Sequence, residues 1–215
     1  PVPVTILFFN DLHGHLMPFE IKGEKGREEV GGIARMAALI RDIRAENGRR
    51  NVRTLVLMAG DMLQGTPMST VFRGDPDIEC LNAMGVDSAT VGNHEFDFGL
   101  DNFRRLRERA AFPFLSANIV EKGNGRPLCR SCLTIPIQEG LSLTVIGITA
   151  EELLTVTLPS NVAALDVVEP VASLQRIYGE LRSRGPVVLL SHCEQRTDRR
   201  IAEALPDLTA VIGGH

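Results

Sequence analysis

The sequence GNHEFD, which begins at Gly92, places an amide, an imidazole and two carboxylates directly after the apolar run SATV. A turn after a buried strand uses a glycine, but it does not require Asn93, His94, Glu95 and Asp97. Side chains of these types bind metal ions, and a histidine beside a carboxylate can transfer protons. The segment therefore indicates a chemical site at the end of a strand.

Four further apolar runs are followed at once by residues of the same kinds. After VTILFF, TLVLMA, PVVLL and LTAVI the chain carries Asp11, His13 and His15, then Asp61, then His192, and finally His215. All five histidines of the chain belong to this set. Because the carboxyl ends of parallel strands lie along one edge of a layered α/β domain, we expect these segments to converge on one cleft.

Aspartate and histidine without cysteine suit a divalent metal ion of intermediate hardness, namely Zn, Mn, Fe or Co. The number of candidate ligands suggests two ions, with Asp61 as a bridge. Two ions bring a charge of about +4, and Asp11, Asp61 and a bridging hydroxide leave a surplus of about +1 that attracts phosphate. Two such ions can hold both the attacking and the leaving oxygen of an in-line displacement, so hydrolysis is favoured over redox chemistry.

The apolar runs alternate with segments of helical periodicity, which predicts an α/β layered domain over residues 1–215. Short continuous apolar runs are typical of strands covered on both faces. The predicted strands are 4–9, 54–59, 88–91, 112–117, 186–190 and 208–212, with a further hairpin formed by LTIPI and LSLTVIGI.

Helices are predicted from Ile33 until Asn47 and Gly48 stop the helix, and again over residues 167–184. A third begins near Gly99, with Asp101 as its cap. The charged, glycine-rich stretch 18–30 is predicted as a surface loop.

Composition and charge exclude several classes of protein. With 44% hydrophobic and 23% charged residues, the 215-residue chain has an ordinary composition for a folded domain. A net charge of −4 gives no basic field for a nucleic-acid polymer. No apolar stretch approaches the roughly 18 to 20 residues of a membrane span. Strand-like sequence begins at Val4 without a signal peptide, so we expect any export signal to have been removed.

Cys129 and Cys132 form a C-x-x-C in a loop rich in glycine and proline. A local disulfide and two free thiols are equally consistent with this spacing. A four-cysteine zinc site is disfavoured because the chain has no second pair. Cys80 is predicted to be buried in a helix.

In this order, NDLHGH, GDMLQGTP, GNHEFD, SH and GGH resemble the motifs of the calcineurin-like metallophosphoesterase superfamily. Within it, they are similar to the 5′-nucleotidase / UDP-sugar hydrolase / 2′,3′-cyclic phosphodiesterase family. The resemblance implies a four-layered α/β/β/α sandwich with a dinuclear metal site at the strand carboxyl ends. It also implies phosphoester hydrolysis, most simply of nucleoside 5′-monophosphates, by a hydroxide that bridges the metals.

The resemblance also implies a role for each matching residue. The first metal would be held by Asp11 and His13, with Asp61 as the bridge. The second would be completed by Asn93, His192 and His215.

His94 and Asp97 would be catalytic, with Asp97 orienting the imidazole; the alternative is that Asp97 only caps the helix from Leu100. Glu95 is expected to support the site, and His15 lies either at the rim of the site or in a solvated loop.

Two features depart from the family. The segment SHCEQRTD replaces a small or glycine-containing loop, and alternation along the strand directs Cys193 away from the metals. The family's C-terminal nucleotide-binding domain is not in this chain, and its fifth motif continues beyond His215. We therefore expect an incomplete first metal site in this chain.

Alternative functions remain at this point. A 2′,3′-cyclic-nucleotide phosphodiesterase, a UDP-sugar hydrolase or a hydrolase of sulfur esters would use the same metals. A phosphate- or metal-binding module without turnover is disfavoured because Asp61, His94 and Asp97 are all present. The resemblance implies a small-molecule phosphoester substrate and a periplasmic or cell-surface location, and oligomeric state is left open.

Overall fold

The structure is a computed structural model that describes residues 2–23 and 26–215. In chain order its strands are β1 (Val4–Phe9), β2 (Pro18–Gly23), β3 (Gly26–Gly31), β4 (Arg53–Met58), β5 (Ser88–Thr90), β6 (Phe114–Leu115), β7 (Ile119–Glu121), β8 (Cys132–Gln138), β9 (Leu141–Thr149), β10 (Leu165–Val167), β11 (Val187–His192) and β12 (Ala210–Gly214). Its α-helices are α1 (Ile33–Arg49), α2 (Pro67–Val71), α3 (Asp75–Met84), α4 (Leu100–Arg109), α5 (Leu153–Val156), α6 (Pro159–Val162), α7 (Pro170–Arg182) and α8 (Gln195–Ala204).

Two four-stranded sheets form the centre of the molecule. The first has the order β1-β4-β5-β6 and is entirely parallel. The second has the order β12-β11-β9-β8, in which only β8 runs antiparallel, as half of the predicted hairpin. The parallel strands of each sheet therefore present their carboxyl ends along a common edge.

Side-chain alternation along β4 shows how the layers are built. Leu55 and Leu57 pack between the two sheets, together with residues of the second sheet such as Val188. Val56 and Met58 face the opposite way, into a core shared with α1, α3 and α4. The other face of the second sheet packs against α7 and α8. This arrangement is the predicted four-layered α/β/β/α sandwich, and the prediction of fold class is confirmed.

Several boundaries differ from those predicted. The strand expected at 112–117 is limited to β6, and the helix expected from 167 begins at Pro170 because Val167 belongs to β10. The helix expected to stop at Asn47 and Gly48 ends at Arg49. The carbonyl of Asn47 accepts from the N–H groups of Arg50 and Val52 at the end of the helix, and its buried amide donates to the hydroxyls of Thr5 and Thr54, at 2.9 and 2.8 Å.

Two predictions about polar segments were wrong. The stretch 18–30 lies on the surface, but it is a hairpin of β2 and β3, while Glu24 and Lys25 lie outside the described residues. The N-cap of α4 is Gly99, and Asp101 lies in the first turn with its side chain 97% exposed and, among the described residues, bonded to Arg104 rather than to the helix backbone.

The four cysteines are free thiols. Cys80 lies in α3 but is half-buried rather than buried. Cys193 packs into the core beneath α7 and α8, as strand alternation predicted, and burial raises the pKa of its thiol to about 12. In the part of the chain that the structure describes, no helix combines the length and apolar character needed to cross a membrane.

Candidate metal centre

The turns that follow β1 and β4 are bonded to each other along their backbones. Asp11, His13 and Asp61 all have left-handed backbone conformations, with φ angles of 49°, 46° and 54°. The N–H of Asp11 donates to the carbonyl of Gly60 at 3.1 Å, and the N–H of His13 donates to the carbonyl of Asp61 at 3.2 Å. Residues without a glycine's freedom adopt this conformation only when their surroundings fix it. The two turns therefore hold Asp11, His13 and Asp61 as one unit.

Asp61 lies at the centre of the candidate site and is 2% exposed. Its Oδ1 accepts a hydrogen bond from the backbone N–H of His94 at 3.0 Å. Its Oδ2 lies 3.2 Å from Nε2 of His192 and 3.9 Å from Nε2 of His13. Two imidazoles from different sides thus face the same carboxylate oxygen.

His192, at the end of β11, is completely buried. Its Nδ1 donates to the carbonyl of Ala59 at 2.7 Å, which directs Nε2 toward Asp61 and toward Oδ1 of Asn93, 3.3 Å away. A side chain at Gly60 would overlap the imidazole, so this close approach requires glycine. Hydrogen bonding at one ring nitrogen is the usual way in which proteins orient a metal-binding histidine.

His215 joins the site from the end of β12. Its ring centroid lies 4.9 Å from that of His192, and its backbone N–H donates to Oδ2 of Asp11 at 3.2 Å. This contact connects the carboxyl edges of the two sheets. Asp11 in turn places Oδ1 3.9 Å from Nε2 of His13.

Two groups of possible metal ligands share Asp61. One consists of His13, Asp61 and His94, and the other of Asp61, His192 and His215, with the ligand atoms in each group within 4.8 Å of one another. The structure thus brings together all six residues that the sequence assigned to metals: Asp11, His13, Asp61, Asn93, His192 and His215. Their assignment as ligands remains a prediction. His94, which the sequence assigned to catalysis and not to a metal, is a member of the first group, and its ring centroid lies 4.9 Å from that of His13.

His94 and Asp97 form the predicted pair on the short 3₁₀ helix His94–Phe96 and its C-cap. Nδ1 of His94 lies 2.6 Å from Oδ2 of Asp97. This hydrogen bond raises the pKa of His94 above its ordinary value, against the opposing effect of partial burial and with support from the charge of Asp61. The backbone of Asp97 accepts a hydrogen bond from the amide of Asn161 at 2.9 Å, which holds the pair from the far side.

His15 lies outside both groups of ligands. Its exposed ring makes a hydrogen bond of 3.2 Å to the carbonyl of Leu12, and its centroid is 6.3 Å from the ring of Phe19 on β2. These contacts place His15 between the site and the β2–β3 hairpin.

The buried carboxylate of Glu95 also belongs to the site, and it contacts backbone N–H groups rather than imidazoles. Burial and the charge of Asp61 raise its pKa to about 7. The pKa of Asp61 is shifted in the opposite direction. Burial opposes its ionisation, but hydrogen bonding and charge from His192, together with the N–H of His94, hold the pKa of Asp61 below its ordinary value.

A polar network below the site was missed at the level of sequence. The hydroxyl of Thr149 donates to the carbonyl of Val91 at 2.8 Å, and the amide of Asn118 donates to the carbonyl of Thr149 at 2.7 Å. All three residues are buried, and they join the end of β9 to the turn that carries Asn93. The sequence feature that could have predicted this network is the pair of polar residues Ser116 and Asn118 within the apolar segment FLSANIV.

Comparison with known proteins extends these observations. A family model described as calcineurin-like phosphoesterase matches residues 4–215. A probable 5′-nucleotidase from Treponema pallidum is 32% identical over 224 residues, which cover 98% of this chain and 36% of that protein.

Two solved structures from Thermus thermophilus are also similar. A 5′-nucleotidase precursor superposes with a TM-score of 0.84 at 28% identity, covering 99% of this chain and 41% of its own. The sulfate thiohydrolase SoxB superposes with a TM-score of 0.90 at 24% identity, covering 100% and 48%, and at this identity it shows the fold alone. The chain spans less than half the length of each of these proteins.

Proposed function

Because the chain belongs to the calcineurin-like phosphoesterase family, we propose that it hydrolyses phosphoesters with the help of two divalent metal ions, and that nucleoside 5′-monophosphates are its substrates. The observation that carries the proposal is the position of Asp61. One carboxylate oxygen, Oδ2, lies 3.9 Å from Nε2 of His13 and 3.2 Å from Nε2 of His192, and Asp61 belongs to both groups of ligands.

The side chains present fit divalent ions of intermediate hardness, such as Zn, Mn, Co or Fe. Asp11, His13 and Asp61 would hold the first ion, and Asp61, Asn93, His192 and His215 the second. The hydrogen bond from Nδ1 of His192 to Ala59 leaves Nε2 available as a ligand. Two ions bound there would supply the positive charge that polarises a phosphoester.

His94 would hold and deliver the proton in this reaction. Because Nδ1 is engaged by Asp97 at 2.6 Å, Nε2 is the nitrogen that can donate a proton to the departing alkoxide or to a phosphoryl oxygen. Asp97 orients the ring and favours its protonated form. Asn161, through the backbone of Asp97, fixes the position of the pair.

The proposed substrate class is supported by the relatives, because two of the similar proteins are named 5′-nucleotidases. Hydrolysis of 2′,3′-cyclic nucleotides or of UDP-sugars requires the same groups and is the alternative activity. We also propose that the protein is exported, as the motif resemblance implied. The identity of the metals and the domain organisation remain predictions.

The test removes metal from the protein, restores Zn²⁺, Mn²⁺ or Co²⁺ separately, and measures hydrolysis of p-nitrophenyl phosphate, AMP, 2′,3′-cyclic AMP and UDP-glucose. We expect metal-dependent turnover with AMP as the best natural substrate. A higher rate with the cyclic nucleotide or the UDP-sugar would replace the proposed substrate. Tight binding of metal without turnover of any compound would contradict the proposed activity and favour a binding module.

A further inference from the structure

The carboxylate of Glu95 accepts three backbone hydrogen bonds from two different turns. Its Oε2 accepts from the N–H of Asp61 at 3.0 Å and from the N–H of Gly92 at 2.6 Å, while its Oε1 accepts from the N–H of Met62 at 2.9 Å. The side chain is completely buried. Both oxygens of Glu95 therefore accept hydrogen bonds from backbone N–H groups. In Asp61, by contrast, Oδ1 accepts from a backbone N–H and Oδ2 lies near the imidazoles.

The turn after β4 has the shape that receives such a carboxylate. Gly60 and Asp61 have φ angles of 84° and 54°, so consecutive residues leave the ordinary right-handed region. Successive backbone N–H groups in such conformations form a concave site for anions. In this protein the anion is an internal side chain, and its hydrogen bonds offset the cost of holding Asp61 in the left-handed region.

The same carboxylate ties this turn to the next strand. Gly92 follows β5 and immediately precedes Asn93, and a side chain at Gly92 would overlap both the carboxylate of Asp61 and that of Glu95. Glu95 thus joins the backbone that carries Asp61 to the backbone that carries Asn93 and His94. With both turns fixed, Oδ1 of Asp61 receives the N–H of His94, and Oδ2 remains toward the imidazoles.

We propose that Glu95 is a positioning residue that sets the bridging oxygen of Asp61 between the two metal sites; this inference rests on the metal pair of the proposed function. The three hydrogen bonds require an acceptor at both oxygens and the length of a glutamate side chain. A glutamine would turn an NH₂ group toward N–H donors, and an aspartate is one methylene shorter.

The test compares Mn²⁺ binding to the wild-type protein, Glu95→Gln, Glu95→Asp and the control Asp77→Asn, whose carboxylate is equally buried but lies in α3. Calorimetry gives the two affinities, and the EPR spectrum of a coupled Mn²⁺ pair reports the bridge between the ions. We expect Glu95→Gln to weaken both affinities about 10- to 100-fold and to change the coupled spectrum. Glu95→Asp should show a smaller change, and Asp77→Asn none.

Two outcomes separate this inference from the proposed function. If the wild-type protein binds no coupled Mn²⁺ pair, the proposed function fails, and the role of Glu95 at a bridge fails with it. If the wild-type protein binds the pair and Glu95→Gln keeps the same affinities and spectrum, only the positioning role is overturned.

A second measurement does not depend on whether the variants fold. In the isotopically labelled wild-type protein, the amide nitrogens of Asp61, Met62 and Gly92 should each show scalar coupling through the hydrogen bond to the carboxyl carbon of Glu95. Exchange of these amide protons with solvent should also be slow. Fast exchange and undetectable coupling at all three amides would overturn the proposal.

Discussion

Asp61 and Asp77 are two buried aspartates whose pKa values are shifted in opposite directions. Asp61, between the two sheets' carboxyl edges, is 2% exposed, and Asp77, in the first turn of α3, is 0% exposed. The pKa of Asp61 is held below its ordinary value by His192 and by the N–H of His94 despite burial, whereas burial raises the pKa of Asp77 to about 6. Within the described residues, neither oxygen of Asp77 has a hydrogen-bond partner.

The difference shows that partners, rather than burial, distinguish the carboxylate that we propose as a metal ligand. Burial disfavours both charges, but the turns after β4 and β5 surround Asp61 with donors and imidazoles that stabilise its ionised form. The Ser69 hydroxyl and the backbone N–H of Asp77 lie near its carboxylate without a hydrogen bond of normal geometry, so they offset the effect of burial only in part. Folding therefore stabilises the ionised form of Asp61, in an arrangement suited to binding cations, whereas folding disfavours the ionised form of Asp77 at neutral pH.

Replacing Asp61 by asparagine should have the largest effect, because it removes the charge that belongs to both proposed metal sites. We expect both metal affinities to fall together and kcat/KM for p-nitrophenyl phosphate to fall about 10²- to 10³-fold, since bound metals contribute several kcal/mol to such reactions. Metal titration and steady-state kinetics measure the two effects. Asp77→Asn is the control with the same chemical change. Loss of one ion with the other unaffected would mean that Asp61 is a terminal ligand.

His94→Ala tests whether the imidazole beside Asp61 delivers a proton in the reaction. If His94 delivers a proton, its loss should lower kcat about 10²-fold while two metal ions remain bound, because general acid catalysis typically contributes 10² or more. Asp97→Asn should lower kcat less, since the imidazole remains. Kinetics together with metal analysis of each variant provide the readout. Loss of one ion in His94→Ala would instead identify His94 as a ligand in the group with His13 and Asp61, and full activity would remove it from the mechanism.

Asp77→Asn should stabilise the protein at neutral pH. The pKa of Asp77 is about 6 in the folded protein against an ordinary value of 3.8, so the folded state binds the proton more tightly than the unfolded state. The stability that depends on this proton is complete below about pH 4 and is lost as the pH rises through 6. We expect the free energy of unfolding to increase by about 3 kcal/mol at pH 7.5 and to change little at pH 4.

Denaturant unfolding of the wild-type protein and Asp77→Asn at the two pH values provides the measurement. An equal difference at both pH values would show that the effect comes from packing. A loss of stability at pH 7.5 would show that Asp77 has a charged partner in solution, and the contrast with Asp61 would then disappear.

The sequence predicted the layers and the clustering of site residues because both depend on local patterns. The continuous apolar run of β4 predicts a strand covered on both faces, and a polar residue after each such strand predicts convergence at one edge. The sequence did not predict that Asp61 uses one oxygen for both imidazoles, because this depends on the left-handed turn and on its contact with Glu95.

The predicted element boundaries differ from the observed ones at the end of α1 and in residues 18–30. Asn47 is a typical helix terminator, yet its amide bonds to Thr5 and Thr54 and the helix ends at Arg49. The charges of residues 18–30 predict exposure correctly. They do not exclude β structure, because an exposed two-stranded hairpin leaves its side chains in solvent.

Asp101 is a third carboxylate to compare with Asp61 and Asp77. Like Asp77 it lies in the first turn of a helix, but its side chain is almost fully exposed. An N-cap aspartate replaced by alanine typically costs about 0.5 to 2 kcal/mol, whereas a change at an exposed site without such contacts stays within about 0.5 kcal/mol. Among the described residues, Asp101 makes one hydrogen-bonded ion pair, with Arg104 at 3.3 Å, and Gly99 occupies the cap position. We therefore expect Asp101→Ala to lower the free energy of unfolding by less than about 0.5 kcal/mol. Denaturant unfolding measures this change, with Asp77→Asn in parallel at pH 7.5. A loss of 1 kcal/mol or more would mean that Asp101 caps α4 in solution.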